Sequence, residues 1–182
     1  MITFNNSVNE LTKEELIKIF IDEFNVSPQR QLMLAGERYY RAENDILNRK
    51  MLRYEDGRWV EDGTKANNRL AHGFMRNLVD DKVNYLLLKP LAMTCEDEEY
   101  LKAVKQTLGK RFQKRLAQLG YEASNKGIAW LYTYINSAGE FKTMRIPSEQ
   151  CIPIWTDNDH EELEAFIRYY DVETYEGKEK RI

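Results

Sequence analysis

A chain of 182 residues, 42% of them hydrophobic, is long enough to bury the core of one ordinary domain, or of one domain with a small appendage, without a disulfide framework. A formal net charge of −3 and a pI of about 5.6 exclude a chain whose main work is gripping phosphates, which needs a surplus of Lys and Arg. No stretch approaches the roughly 18 uninterrupted apolar residues of a membrane span, and "MITFNNSVNE" has no basic region followed by an apolar one, so a soluble, unexported protein is expected.

"LTKEELIKIFIDEF" carries a full set of helix-start signals. Thr12 can cap the amide of Glu15 while Glu15 reaches back, and Leu11 can staple onto Leu16. Leu16, Phe20 and Phe24 then share a face at i, i+4, i+8. In "SPQRQLMLAGERYYRA", Ser27 is a second N-cap and Pro28 takes the first helical position, where its missing N–H costs nothing.

"MLRYEDGRWVEDG" reads as a hairpin turning at Asp56-Gly57, a dipeptide that accepts the positive φ angles of a type I′ turn. In "ANNRLAHGFMRNLVDDKVNYLLLKP", Asn67 or Asn68 is expected to cap a helix with Leu70, Phe74, Leu78, Val79, Tyr85 and Leu86 mostly along one side, ending before Pro90. "EDEEYLKAVKQTLG" places four acids at a helix N-terminus and closes on Gly109. "KRFQKRLAQLGYEASNKG" follows, with Phe112, Leu116, Leu119 and Ala123 on an apolar face, Lys110, Arg111, Lys114 and Arg115 on a solvated one, and Gly127 at its end.

After Gly127 the period becomes extended, giving three or four strands broken at Ser137-Ala138-Gly139, Pro147-Ser148 and Thr156 to His160. The fold class is therefore α+β, a helical N-terminal two thirds packed on a C-terminal antiparallel sheet. Residues 1–26 read as a helical arm and 27–182 as the α+β unit. The last strand, "EAFIRYYDVE", runs into "EGKEKRI" without an evident partner, so a cut inside a larger fold is expected.

No constellation reads as an active site. A metal-dependent nuclease needs clustered carboxylates with a lysine, from Asp80 and Asp81 with Lys82, Glu96 to Glu99 with Lys102, or Asp157 and Asp159 with Glu161 and Glu162. Adjacent helical positions diverge by about 100°, so Asp80 and Asp81 do not both face one metal. "DNDHEE" lacks the glycine and the length of a calcium loop and reads as a polar turn. His72 and His160 have no nucleophile beside them, and no phosphate-binding glycine motif occurs, so no cofactor, metal or nucleotide is implied. Cys95 and Cys151 are expected as buried thiols of a reducing compartment. Tyr39, Tyr40, Trp59, Trp130, Tyr132, Tyr134, Trp155, Tyr169 and Tyr170 fall where core packing or subunit contact would use them.

Four segments in register, "YYRAENDILNRK", "NNRLAHGFMRNLVDDKVNYLLLKP", "GIAWLYTYINSAGEFKTMRIPSEQCIPIW" and "ELEAFIRYY", resemble the N-terminal part of the portal proteins, or head-to-tail connectors, of tailed bacteriophages and prophages. Tyr39 and Tyr40 through Arg49 and Lys50 match an aromatic pair followed by Ile-Leu-Asn-Arg-Lys. Asn67, Asn68 and Arg69 match an Asn-Asn-Arg start, and Val79, Lys82, Tyr85, Lys89 and Pro90 the helix that follows. Gly139, Pro153 and Trp155 match a hairpin and a Pro-Ile-Trp strand, and Arg168, Tyr169 and Tyr170 the next strand. Leu88 stands where glycine is usual, so a different exit from that helix is expected.

The resemblance implies a piece of the portal wing domain, from a homo-oligomeric ring of about twelve subunits at one capsid vertex. Such a ring would be the channel for genome packaging and ejection, with terminase, head-tail adaptor, scaffold and capsid proteins as partners. It would pass double-stranded DNA without binding it tightly, would not touch a membrane, and would sit in the virion, or in the host cytoplasm during assembly. It also implies subunits more than twice this length, whose channel helices and clip follow the present region, and little self-association of this piece alone. Asn67, Asn68 and Arg69 would cap and orient the long helix, with Asp80, Asp81 and Lys82 on its polar side. A metal-dependent nuclease of phage origin and a small interaction or adaptor protein stand as alternatives.

Overall fold

The computed structural model describes residues 12–174 and 177–181. Helix α1 (Lys13–Val26) starts with the expected capping box: Thr12 Oγ1 accepts from the Glu15 amide at 3.3 Å, and Glu15 Oε2 accepts from the Thr12 amide at 2.9 Å. The proposed staple partner Leu11 lies outside the described residues. Helix α2 (Pro28–Tyr40) follows at once, its first turn closed by the Arg30 amide on Ser27 Oγ at 3.2 Å. Ile21 and Phe24 of α1 share a buried cluster with Met33 of α2, Ile152 and Tyr169. The Phe24 and Tyr169 rings meet edge to face with centroids 6.3 Å apart.

A hairpin of β1 (Leu52–Glu55) and β2 (Arg58–Glu61) turns at Asp56 and Gly57, at φ 48° and 78° as a type I′ turn demands. Helix α3 (Phe74–Leu87) begins seven residues beyond Asn67, and its N-cap is Gly73, with no side-chain cap. Asn67 and Asn68 therefore do not cap it. The exit at Leu88 stays right-handed, φ −82°, so no glycine is required there. Helix α4 (Glu98–Leu108) is capped by Asp97, whose carboxylate accepts from the Tyr100 amide at 2.9 Å, and ends on Gly109 at φ 70°. Helix α5 (Phe112–Lys126) ends on Gly127 in the left-handed region, φ 82°.

The C-terminal part is antiparallel, as expected, and is built from successive two-stranded ladders. Strand β3 (Trp130–Ile135) pairs with β4 (Phe141–Ile146), and β5 (Cys151–Trp155) with β6 (Leu163–Arg168), with a register shift at Ile154/Trp155. "EAFIRYYDVE" is not one strand. It breaks at Tyr169, whose amide donates to the Gln150 carbonyl at 3.1 Å, and continues as β7 (Tyr170–Thr174) paired with β8 (Gly177–Arg181). The expectation of an unpartnered last strand is thereby corrected: the residues following Thr174 supply the partner.

Helix α5 is the centre of the arrangement. On one side Ala117 packs with Val79 and Val83 of α3, and a Cβ added at Gly120 would run into Leu87. On another side Gly36 of α2 lies against the Asn125 carbonyl oxygen, where a Cβ would fall inside contact distance. The expected apolar face is thus rotated: Ala117 is buried while Ala123 is exposed.

Candidate assembly surfaces

At the C-terminal end of α5 a buried ionic junction ties two helices to β4 and the turn that follows it. Lys126, with 4% of its side chain exposed, donates to Glu149 at 2.7 Å and to Glu122 at 2.9 Å and lies 3.5 Å from Glu37 of α2. Glu122, 5% exposed, is also paired with Arg145 of β4 and accepts from the Ser148 amide at 2.9 Å. Ser148 is fully buried and donates from Oγ to the Ile128 carbonyl at 2.6 Å. Burial works against the charge on Lys126, but its hydrogen bonds to Glu149 and Glu122 outweigh that and hold its pKa above the ordinary value. Burial likewise pushes Glu37 up, yet the Lys126 charge and the Arg41 partnership prevail and its carboxyl titrates below the usual range. Every charge here is satisfied by another. The junction holds structure.

Two of the segments that carry the resemblance are stitched into one unit. Tyr39 donates to Asp45 at 2.8 Å, and Arg38 pairs with the same carboxylate. Asn67 donates to the Arg49 carbonyl at 3.0 Å and Arg69 to the Leu47 carbonyl at 2.9 Å, while Lys50 pairs with Glu61 at 3.0 Å. Asn67 and Arg69 therefore clamp the 45–49 turn in place of capping α3; Asn68 is exposed. Tyr40 donates to Asp80 at 2.7 Å, and burial, then that carboxylate, push its phenol up to about 12. Pro153, Trp155 and Arg168 belong instead to the β5–β6 ladder, where Arg168 stacks 4.8 Å above the Tyr170 ring.

The outward side of α3 carries large apolar residues among the exposed polar side chains of Asn77, Asp81 and Lys82. Val79 and Val83 face α5, whereas Phe74, Leu78 and Tyr85, spaced to share the opposite side, are 67%, 71% and 78% exposed. Lys82, Leu86 and Pro90 are exposed beside them. The expected single apolar stripe was a mixture of two opposite faces, a narrow buried one and a broad outward one. Three large apolar side chains left exposed on one side of a packed helix are a mark of protein contact. Gln113 of α5 fixes this helix's exit, donating to the Leu87 carbonyl and to the Lys89 carbonyl at 2.9 Å and accepting from the Leu91 amide at 3.2 Å. Nothing in the sequence marked Gln113 for that role, nor Ser148 or Glu149 for the junction; only the i, i+4 spacing of Glu122 and Lys126 was readable.

Several expectations are corrected here. Cys95 is exposed, and only Cys151 is buried, which pushes its thiol up to about 12. Trp59, Tyr132, Tyr134 and Tyr170 are exposed, so core packing does not account for them. Tyr54 and Trp59 form a cross-strand pair with centroids 5.3 Å apart on the β1–β2 hairpin. Arg115 turns inward to Thr143 and leaves the solvated face to Lys110, Arg111 and Lys114. The carboxylates a nuclease would need are spread apart: Asp80 holds Tyr40, Asp97 caps α4, and Asp157 accepts from the Glu161 amide at 3.1 Å. Among the described residues no group of three His, Cys, Asp or Glu side chains is placed to hold a metal ion, and no helix is long and apolar enough to cross a membrane.

Comparison with known proteins gives the same direction throughout. Residues 25–181 match the family model described as "Phage portal protein, SPP1 Gp6-like". The portal protein of Bacillus phage SPP1 is 32% identical over 165 residues, covering 90% of this chain and 32% of that protein. The portal protein of Clostridium phage phiCD119 is 34% identical over 151 residues, 78% of this chain and 33% of the relative. The chain thus spans about a third of the length of the curated relatives it matches.

Proposed function

Because the chain belongs to the SPP1 Gp6-like phage portal proteins, we propose that it forms the wing region of a structural, non-catalytic portal subunit. The complete subunits would close into a ring of about twelve at the capsid vertex, each using two different surfaces to meet its neighbours. That ring is the channel through which the genome is packaged and ejected, and it docks terminase and the tail adaptors. The helical arm and the α+β unit act as one folded wing, since Ile21 and Phe24 of α1 are buried with Ile152 and Tyr169.

Family membership carries this reading, and the outward side of α3 supports it. Phe74, Leu78 and Tyr85 expose a large apolar surface on a helix whose opposite side is already packed. A net charge of −3 suits a wing that does not itself hold duplex DNA. The place of action is the virion, and the host cytoplasm while the particle is assembled.

The test is the native mass and negative-stain image of the complete gene product. A closed ring with a central channel is expected, together with weak retention of duplex DNA at physiological salt. A monomer or dimer under all salt conditions would refute the proposal, as would salt-resistant, tight DNA binding.

A further inference from the structure

Charge on this chain is segregated in a way its net value conceals. From Tyr100 to Tyr121 there is no Asp or Glu, while Lys102, Lys105, Lys110, Arg111, Lys114 and Arg115 fall in the same 22 residues. Arg115 is bonded to Thr143, but Lys105, Lys110, Arg111 and Lys114 are exposed and none forms an ion pair among the described residues. The acids of α4, Glu98 and Glu99, lie in its first turn, at the end away from this edge.

The placement works against local stability. Lys110 and Arg111 precede α5 and Lys114 sits in its first turn, at the positive end of the helix dipole, with no acid in that turn and no side-chain cap. The Phe112 amide is closed on the Gly109 carbonyl at 3.2 Å, so it is the positive side chains at this helix start that are presented to an anionic partner. A sequence that breaks a local rule without local compensation points to a requirement imposed from outside.

The complementary surface is on the same chain. The β5–β6 connection and the start of β6 carry Asp157, Asp159, Glu161, Glu162 and Glu164 within eight residues, without a cation. Asp157 is spent on the Glu161 and Glu162 amides, which leaves Asp159, Glu161 and Glu164 exposed. The two patches lie at opposite ends of α5. The basic edge is at its start, beside Phe141 and Lys142 of β4. The acidic tip follows Trp155, whose ring lies 6.3 Å from Trp130, four residues beyond the helix's last residue. Fourteen residue steps separate Phe112 from Lys126, about 21 Å at the rise of an α-helix.

We propose that the basic edge formed by Lys105, Lys110, Arg111 and Lys114 of one copy docks on the acidic β5–β6 tip of the next copy. Two different, complementary patches on one chain make a heterologous contact, the kind that closes a ring. The net charge of −3 disfavours DNA as the occupant of the basic edge. The inference rests on the ring reading above and names the surfaces that reading leaves unassigned.

The experiment is a charge swap in the complete gene product, followed by light scattering and native mass. Arg111→Glu/Lys114→Glu on one side, or Asp159→Lys/Glu161→Lys on the other, should raise the concentration for half-assembly by about tenfold or more. Combining all four should restore assembly to within about threefold of the unmodified protein. Assembly of the latter should weaken between about 50 and 500 mM salt, as the screening length shortens. Thermal midpoints establish that each variant folds, with Arg111→Gln/Lys114→Gln or Asp159→Asn/Glu161→Gln replacing the reversal on its own side if that does not. Reversals without effect, or a combination without rescue, overturn the interface. So does a basic-side reversal that leaves the ring intact but weakens retention of a short DNA duplex, which would assign the edge to nucleic acid. An unmodified protein that never forms a ring overturns the ring reading as well, whereas a normal ring with indifferent variants overturns this interface alone.

Discussion

Replacing Lys126 with Met keeps the apolar stem of the side chain and removes the charge at the centre of the buried junction. Two charged hydrogen bonds are lost, to Glu149 at 2.7 Å and to Glu122 at 2.9 Å. At about 1.5–3 kcal/mol for each hydrogen bond to a charged group, the loss is about 3–6 kcal/mol. The cost of stripping one partner from a buried pair, about 3–5 kcal/mol, agrees. For a chain of this size each kcal/mol moves the thermal midpoint by about 2–4 °C, so a fall of about 6–24 °C is expected. Thermal unfolding followed by circular dichroism reads it directly. The pH dependence gives a second check. Glu37 titrates below its ordinary value of 4.5 in part because of Lys126, so its contribution is present above that value and disappears as pH falls through the folded-state pKa. The gap between native protein and variant should therefore be widest near neutrality and narrow below about pH 4.5. A midpoint within about 2 °C of the native one at pH 7 would refute the claim that this junction holds the helices to the sheet.

Gly36→Ala should destabilise by about 1–3 kcal/mol in urea unfolding, because a methyl group there meets the Asn125 carbonyl oxygen, although helix propensity alone favours alanine by about 1 kcal/mol. A stabilised variant would show that α2 and α5 do not approach as closely as described. At pH 8 a thiol reagent should modify Cys95 rapidly and Cys151 only after unfolding, since burial pushes the latter's thiol up to about 12; two fast thiols would contradict this. Asn67→Ala should cost about 0.5–1.5 kcal/mol by releasing the Arg49 carbonyl, whereas Asn68→Ala should stay within about 0.5 kcal/mol. Equal losses at the two positions would refute the assignment of the clamp to Asn67 alone.

Local chemistry made much of the fold legible. Thr12 with Glu15, Ser27 with Pro28, Asp56-Gly57, Gly109 and Gly127 each act within a few residues of themselves, and each marks the boundary it was expected to mark. Failures came where a partner distant in sequence decides the outcome. Asn67 had the right side chain for a cap, but the 45–49 turn offered it a backbone carbonyl instead. The apolar residues of α3 outnumber its buried positions, and only the arrival of α5 selects Val79 and Val83. "EAFIRYYDVE" breaks at Tyr169 because that residue bonds Gln150 and Asn25 across the molecule, the latter at 2.8 Å. For the candidate surfaces, the cation run over Tyr100–Tyr121 was visible in the residue order, but the withdrawal of Arg115 to Thr143 was not.

The three tryptophans fall into two optically distinct environments. Trp59 is 68% exposed on the β1–β2 hairpin, paired with Tyr54, while Trp130 and Trp155 are half-buried neighbours near the base of the β3–β4 hairpin. Intrinsic fluorescence is consequently a sum of a red-shifted component open to aqueous quenchers and a shielded one in which the two indoles share excitation. With Trp59 replaced by Phe, the remaining emission reports on the surroundings of the acidic tip alone. The chain thus carries its own probe at one of the two surfaces through which copies are proposed to meet.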